Sequence, residues 1–381
     1  MRIYLDYNAT APMPPAVRRA MAELMQAPRG NPSSVHAEGR AARDRLERAR
    51  ARVAALLGAQ PGELVFTSGG TEADLLGVHG LARAACAAGR PARILTSGIE
   101  HPAVTGACRA LARDGFAVEA LPVDADGVID AEAVARGCAA GAALLTLQVA
   151  NHELGTVQDV AALSAIARTH GVPVLADAVQ ALGKLPLSVG ELGASAVAVS
   201  AHKIGGPAGC GALWIADRVG LAPPLAGGGQ ERGRRPGTEN LLGAVGFGAA
   251  AALARADGEA RRAAANAAAA ALEAGLRRLD GVRIHGAGGR RAGNTVNAGF
   301  DGALGEVVVT ALDLAGIAAS TGSACTSGTV APSPVLLATG LPAERAAEAV
   351  RFSTGPETTL DEVAAVLEKL PAILSRARQF R

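Results

Sequence analysis

The feature of this chain that most restricts its fold is a repeated alternation of short apolar segments with helical patterns. Strand-like segments at 93–96, 143–149 and 172–176 each precede polar residues and then a helical pattern. Such alternation favours an α/β fold, with a mostly parallel sheet covered by helices on both faces. Because ligands gather at the carboxyl ends of the strands in such sheets, we expect a site at that edge.

The length of the chain predicts two lobes, since 381 residues exceed the usual size of one domain. An alanine-rich segment over 243–279 keeps an apolar stripe with charges at helical spacing, so we predict a helical connection out of the first lobe. A break in this helix is expected near Gly258. Beyond it, strands are predicted at 282–285, 294–300 and 349–353.

Composition argues against several classes of partner. The net charge is only +2 and aromatic residues make up 2% of the chain, so neither a basic field nor base-stacking platforms favour nucleic acid. No stretch approaches the roughly 18 charge-free apolar residues of a membrane span, and the first residues lack a signal-peptide pattern. We therefore expect a cytoplasmic protein that binds neither nucleic acid nor membrane. The five cysteines have no metal-binding spacing, which predicts neither a disulfide framework nor structural zinc.

Polar residues follow the predicted strands, where each strand ends. The stretch AVAVSAHKIGGP, residues 196–207, is a short apolar strand that delivers Ser200, His202 and Lys203 where it runs into glycine. A poorly solvated lysine there becomes a usable nucleophile for a carbonyl. The alternative is a lysine that caps the strand and points at water. Other residues that follow predicted strands are Thr71, His101, Asn151, Asp177 and Gln180.

The segment TSGGTE, residues 67–72, lies between a strand-like segment and a helical pattern. This order points free backbone N–H groups and a hydroxyl at an anion, so Gly70 and Thr71 are candidate phosphate ligands. An ordinary capped helix is the alternative, because the segment lacks both the P-loop lysine and the GxGxxG pattern.

A lysine amine, an acid, an imidazole and a phosphate-binding turn are the groups needed to hold pyridoxal phosphate. We expect Lys203 to bond the aldehyde of this cofactor and Asp177 to keep its pyridine nitrogen protonated. His101 would stack on the ring and move protons. Asp177 and His101 each have a purely structural alternative, as buried groups satisfied by their surroundings.

Two residues of the predicted second lobe suit a substrate. Arg351 stands in the strand pattern AVRFS, where it either grips a substrate carboxylate or forms an internal salt bridge. Cys325 lies among small residues in GSACTSG, which is typical of an exposed loop where a thiolate is accessible as a nucleophile. The cysteines predicted to be structural are Cys86, Cys108, Cys138 and Cys210.

Nine segments between Tyr4 and Gly355 carry a resemblance to a known family: YLDYNAT, NPSSVH, VFTSGGTEA, EHPAV, DAVQALGK, SAHKIGGPAGCGAL, GGGQERGRRPGTEN, GSACTSG and VRFSTG. The chain resembles the NifS/IscS group of cysteine desulfurases, which are class V aminotransferase-like pyridoxal phosphate enzymes. The resemblance implies a homodimer of the transferase fold type I. It also implies a large domain over 15–250 and a smaller α/β domain, formed by 1–14 and 251–381, that carries the loop around Cys325.

The resemblance also implies roles for individual residues. Cys325 is the sulfur-accepting nucleophile, Lys203 is the lysine bonded to the cofactor, and His101 is the acid/base on its ring. The implied substrate-binding residues are Asn31, Asn151 and Arg351. The implied cofactor-binding residues are Gly70, Thr71, Asn151, Asp177, Gln180, Ser200, His202, Lys203 and Thr238, of which the last reaches the phosphate of the partner subunit.

The implied activity is removal of sulfur from L-cysteine, which gives L-alanine and a persulfide on Cys325. The sulfur would pass to an iron–sulfur scaffold or another acceptor protein, for cluster assembly, thio-cofactors or tRNA thiolation. No stable metal site is expected, although the persulfide on Cys325 could contact a partner's iron–sulfur cluster. The alternatives are a selenocysteine lyase or class V aminotransferase on the same fold, and a non-catalytic protein that binds sulfur-transfer partners. The departures from the family pattern are His152, Pro334 and residues 329–331.

Overall fold

The computed structural model describes residues 2–27, 30–322 and 332–379. The strands are β1 (Ile3–Tyr4), β2 (Leu64–Thr67), β3 (Arg93–Ser97), β4 (Ala117–Leu121), β5 (Leu144–Gln148), β6 (Val174–Asp177), β7 (Ala196–Ser200), β8 (Gly211–Ile215), β9 (Val282–His285), β10 (Thr295–Phe300), β11 (Ile317–Ala318) and β12 (Ala349–Ser353). The α-helices are α1 (Pro15–Gln26), α2 (Ala37–Leu57), α3 (Gly70–Ala87), α4 (Pro102–Arg113), α5 (Ala131–Ala139), α6 (Val160–Thr169), α7 (Val189–Leu192), α8 (Leu241–Leu276), α9 (Gly305–Leu314), α10 (Pro334–Ala338), α11 (Ala343–Ala346) and α12 (Leu360–Ala377).

A seven-stranded sheet forms the centre of the larger lobe. Its strand order is β2-β8-β7-β6-β5-β3-β4, and the strands from β7 to β4 run parallel. β8 is antiparallel to both of its neighbours. Both faces of the sheet are buried in apolar clusters, so its central strands are continuous apolar runs. The prediction of an α/β fold with a mostly parallel sheet is confirmed.

The second lobe is built on an antiparallel sheet of order β12-β10-β9, which packs on α8, α9 and α12. Phe300 and Phe352 meet edge to face in this core, with their ring centroids 6.5 Å apart. β1 pairs in parallel with β11, which places the start of the chain beside the second lobe. The boundary predicted at residue 250 falls inside α8, and the division into these two domains stays a prediction.

The break predicted near Gly258 is wrong, because α8 is a single helix from Leu241 to Leu276. A glycine costs a helix only about 1 kcal/mol relative to alanine. The helix packs extensively against α1 and α2 and enters the second-lobe core through residues such as Leu272 and Leu276. This tertiary packing outweighs the local preference. Within the part of the chain that the structure describes, no helix is both long and apolar enough to cross a membrane.

The loop GGGQERGRRPGTEN, residues 227–240, is fixed to the larger lobe by a buried ion pair. The guanidinium of Arg50 donates to both carboxylate oxygens of Glu231 at 2.7 and 2.8 Å, and the backbone N–H of Phe66 donates to the same carboxylate at 2.9 Å. Glu231 and Arg232 both adopt positive φ angles, which side chains other than glycine rarely adopt. The ion pair thus holds the loop in a strained turn.

Replacing Arg50 by methionine is expected to lower the free energy of unfolding by about 3 kcal/mol, since removing one partner leaves a buried charge uncompensated. Urea denaturation followed by circular dichroism measures this loss. The matched control is Arg136→Met, because Arg136 pairs with Glu132 on the exposed face of α5 and should show no resolvable change. Equal effects of the two substitutions would contradict the prediction.

Candidate active site

The predicted strand-end residues gather at the carboxyl edge of the large sheet. Asp177 is the last residue of β6, in register with Gln148 on β5 and Ala198 on β7. Ser200 ends β7, and Lys203 lies in the 3₁₀ turn that follows it. Parallel strands end at the same edge of the sheet, so the topology brings these side chains together.

The amine of Lys203 is held by the N-terminal segment of the chain. Its Nζ donates to the backbone oxygens of Asn8 at 2.6 Å and Ala9 at 3.1 Å. The backbone N–H of Ala11 donates to the oxygen of His202 at 2.9 Å, and Thr10 Oγ1 lies 3.3 Å from His202 Nδ1. The segment YLDYNAT therefore lines the site, a role that sequence reasoning missed.

A cradle for an anion lies between the start of α3 and the end of β7. No side chain caps α3 at Gly69, so its first backbone N–H groups have no side-chain acceptor there. A Cβ on Gly70 would lie 3.5 Å from Ser200 Cβ, which puts the two residues in contact distance. Among the described residues, the buried Ser200 Oγ has no hydrogen-bond partner. An unpartnered hydroxyl beside an uncapped helix N-terminus fits a phosphate group.

His101 caps α4, and its ring faces a second imidazole. Its Nδ1 accepts the backbone N–H of Ala103 at 3.1 Å, so the neutral ring carries its proton on Nε2. Burial lowers the pKa of His101. The ring of His152 meets that of His101 edge on, with centroids 5.2 Å apart, and burial holds the pKa of His152 well below its usual range. Burial therefore favours the uncharged form of both imidazoles, while Asp177 acts in the opposite direction on His101.

Asp177 shares its surroundings with two further buried acids, Asp74 and Glu100. Burial raises the pKa of all three carboxyls, and that of Glu100 to about 8. Asp177 and Glu100 each accept hydrogen bonds that lower the pKa, but only the pKa of Asp177 is also lowered by nearby basic groups, His101 and Lys203. It is accordingly the member of the group best placed to hold a negative charge.

The two predicted cofactor-binding amides, Asn151 and Gln180, differ in how many of their N–H donors are already used within the protein. Asn151 Nδ2 donates to the oxygen of Ile99 at 3.1 Å and to Gln148 Oε1 at 3.3 Å, so both of its N–H donors are used inside the protein. Gln180 Nε2 donates to the backbone oxygen of Asn8 at 2.9 Å, which uses one of its two hydrogens. Of the two amides, Gln180 retains a donor for a ligand.

Arg351 lies in β12 and is 4% exposed. Its Nη2 donates to Asp6 Oδ1 at 2.7 Å and its Nη1 to the backbone oxygen of His152 at 2.9 Å. The buried Nε has no partner among the described residues. The internal salt bridge considered from the sequence is therefore present, and the N–H at Nε is a donor left for a second carboxylate.

The remaining predicted site residues lie apart from these contacts or outside the described ranges. Asn31 is exposed, and it accepts hydrogen bonds from Ser33 and Ser34 within its own turn. Thr71 and Thr238 are exposed, and burial lowers the pKa of His202 to about 4. Cys325, residues 329–331 and the loop around them lie outside the described residues. The assignments of site residues therefore stay predictions.

The cysteines that the structure describes have no disulfide partners and are poor nucleophiles. Cys108, Cys138 and Cys210 are buried, and Cys86 is partly buried. Burial raises the pKa of Cys108 and that of Cys210 to about 12. Residues 2–27, 30–322 and 332–379 also contain no group of three His, Cys, Asp or Glu side chains that could hold a metal ion.

This fold is that of a known protein class. The model of the aminotransferase class-V family matches residues 3–366. The chain therefore belongs to the class-V aminotransferase family. Within it, the relatives place the chain in the cysteine desulfurase group, which confirms the resemblance found in the sequence.

Three similar proteins support this placement. An IscS-like cysteine desulfurase of Mycobacterium tuberculosis is 42% identical over 384 residues, covering 99% of this chain and 97% of the relative. A solved NifS-like protein superposes with a TM-score of 0.89 at 32% identity, covering 99% of this chain and all of the other. SspA, solved in complex with cysteine, has a TM-score of 0.81 at 30% identity, covering 94% of this chain and all of the other.

Proposed function

We propose that this protein is a pyridoxal phosphate-dependent cysteine desulfurase that takes sulfur from L-cysteine, releases L-alanine and forms a persulfide on Cys325. The observation that carries this proposal is the convergence of Lys203, Asp177 and His101 at one edge of the sheet, opposite Arg351. A continuous set of contacts joins the two sides: His101 packs on His152, whose backbone oxygen accepts from Arg351. The relative solved with cysteine supports the substrate.

The residues present fit the cofactor. The unpartnered Ser200 hydroxyl and the uncapped start of α3 at Gly70 would hold the phosphate. Asp177 would pair with the pyridine nitrogen, and the Nε2 of Gln180 would donate to the ring oxygen. When bound, pyridoxal phosphate supplies an aldehyde for an amine and an electron-withdrawing ring that stabilises negative charge on the substrate.

The protein side chains prepare the site for this chemistry. Neutral His101 presents an uncharged ring and holds a proton on Nε2, as its contact with Ala103 fixes the tautomer. The Nζ of Lys203 donates to the backbone oxygens of Asn8 and Ala9, which hold the amine at the carboxyl edge of the sheet, near Asp177. Arg351 would bind the carboxylate of L-cysteine, using the donor at Nε.

The proposal extends to the partners of the enzyme. We expect a cytoplasmic homodimer, in which Thr238 reaches the phosphate of the other subunit. An iron–sulfur scaffold or another acceptor protein would take the sulfur from Cys325. Asn31 and Asn151 remain proposed substrate contacts, and His202 and Thr71 remain proposed phosphate ligands.

One experiment tests the activity. The purified protein is titrated with pyridoxal phosphate, its visible absorption is recorded, and L-cysteine is then added. We expect a visible band, stoichiometric L-alanine with a reductant present, and a persulfide on the Cys325 peptide by mass spectrometry. A protein that takes up no cofactor would refute the proposal and favour a non-catalytic partner-binding role. Equal concentrations of cysteine and selenocysteine distinguish a desulfurase from a selenocysteine lyase.

The substitution Arg351→Lys is expected to raise KM for L-cysteine about 10- to 100-fold and to change kcat much less. Lysine keeps a positive charge for Asp6 but has no counterpart of the Nε donor offered to the substrate carboxylate, and a charge-assisted hydrogen bond contributes about 1.5–3 kcal/mol. Steady-state kinetics measure the two constants separately. Arg345→Lys is the matched control, because Arg345 pairs with Asp301 on the surface. An unchanged KM would remove Arg351 from substrate binding.

A further inference from the structure

Lysine is nearly absent from this chain: three of its 37 basic residues are lysines, and they are Lys184, Lys203 and Lys369. Elsewhere the chain uses arginine where a positive charge is needed. Lys369 is exposed and donates to a backbone oxygen of the second lobe. Lys184 is partly buried beside the candidate site, and the proposed reaction does not use it. A lysine at this place stands out in a chain whose other basic residues are almost all arginine.

Lys184 closes a ring of hydrogen bonds with two amides. Its Nζ donates to Asn8 Oδ1 at 2.6 Å and to Gln180 Oε1. Gln180 Nε2 donates in turn to the backbone oxygen of Asn8 at 2.9 Å. Asn8 is 2% exposed, and Thr295 Oγ1 accepts from its Nδ2 at 2.9 Å, which anchors the ring to the second lobe.

This ring determines which atom of Gln180 faces a ligand. A side-chain amide can exchange its oxygen and nitrogen by rotation, but here Oε1 accepts from the amine of Lys184 and Nε2 donates to the backbone oxygen of Asn8, which has no hydrogen to donate in the rotated state. The oxygen is thus occupied, and one hydrogen of Nε2 is given to Asn8. The second Nε2 hydrogen is the donor that remains. Asn151 has no such donor left, because both of its hydrogens are used within the protein.

We propose that Lys184 is a positioning residue, which locks the amide of Gln180 so that Nε2 donates to the ring oxygen of bound pyridoxal phosphate. This inference rests on the proposed function. Lys184 acts through Gln180 and does not itself touch the cofactor.

The surroundings of Lys184 favour an uncharged amine. Burial lowers its pKa well below the usual range, the nearby charges of Lys203 and Arg351 lower it further, and Asp6 acts in the opposite direction. The amine has N–H donors for both of its acceptors, Asn8 Oδ1 and Gln180 Oε1. An arginine would bring a permanent charge and a larger planar fork to the same space.

The test is a pH titration of the visible absorption band of the cofactor bound at Lys203. A hydrogen-bond donor to the ring oxygen draws negative charge away from the nearby nitrogen that joins Lys203 to the cofactor, so this nitrogen loses its proton more easily. Loss of the donor therefore raises the pH at which the band changes. We expect Lys184→Met to raise it by about half a unit to one unit, the equivalent of one hydrogen bond. Lys369→Met is the control and should leave the titration unchanged.

A double-mutant cycle separates positioning from a general electrostatic or structural effect. Gln180→Leu should raise the midpoint pH of the spectral change at least as much as Lys184→Met does. The double variant should have the same midpoint as Gln180→Leu alone. Additive shifts, or no shift in Lys184→Met, would overturn the inference while leaving the proposed function intact. A wild-type protein without the visible band would refute the proposed function and the inference together. If Lys184→Met does not fold, Lys184→Gln takes its place in the same cycle.

Discussion

Replacing Cys325 by serine should lower the conversion of L-cysteine to L-alanine by at least about 10⁴-fold while the cofactor stays bound. A serine hydroxyl does not ionise near neutral pH and cannot form a persulfide, so the sulfur has no acceptor on the enzyme. The other cysteines do not substitute for it, since burial raises the pKa of Cys108 and of Cys210 to about 12. Alanine release and the visible absorption band, measured on the same sample, report chemistry and cofactor binding separately.

The matched control is Cys86→Ser, because Cys86 is partly buried in the last turn of α3 and has no part in the proposed chemistry. This variant should keep the wild-type rate and the persulfide on the Cys325 peptide. If the Cys325→Ser protein still releases alanine at the wild-type rate, the enzyme is a lyase that does not depend on this thiol. A keto acid product instead of alanine would indicate an aminotransferase.

The local pattern of apolar residues was sufficient to predict the bounds of short strands in the second lobe. The spacing of apolar residues predicts strands over 282–285 and 349–353, and β9 and β12 have these bounds. It failed at Gly258, since a local propensity of about 1 kcal/mol is small beside the packing of α8 on both lobes. The antiparallel pairing of β8 with β2 and β7 was also not predicted, because strand direction depends on connections far apart in the sequence.

The candidate site shows the same division between local and long-range information. Strand-end residues such as Asp177 and Ser200 could be proposed from sequence, because parallel strands share one functional edge. The contacts of Asp6 with Arg351 and of Asn8 with Lys184 join residues more than 170 positions apart. Nothing in the pattern around Asp6 or Asn8 distinguishes them from ordinary turn residues. The only signal was that both lie in YLDYNAT, one of the segments that carry the family resemblance.

Replacing Lys203 by alanine should abolish the visible band of the bound cofactor and lower desulfurase turnover by at least about 10⁴-fold. The amine is the group that bonds the aldehyde, and its hydrogen bonds to the backbone oxygens of Asn8 and Ala9 hold it at the carboxyl edge of β7. Lys184 cannot replace it, because its amine is engaged with Asn8 and Gln180. Borohydride reduction of the loaded wild-type protein, followed by peptide mapping, should place the cofactor on Lys203.

Two comparisons make the Lys203 prediction specific. Lys369→Ala should retain the band and the turnover, because Lys369 lies on the surface of the second lobe. Phosphate ligands such as Ser200 remain in Lys203→Ala, so this variant should still bind pyridoxal phosphate non-covalently, with an absorption spectrum close to that of the free aldehyde. If the reduced cofactor were found on Lys184 instead, Lys203 would not be the residue that bonds the cofactor. The hydrogen bonds of Lys203 to the N-terminal segment would then have a structural role only.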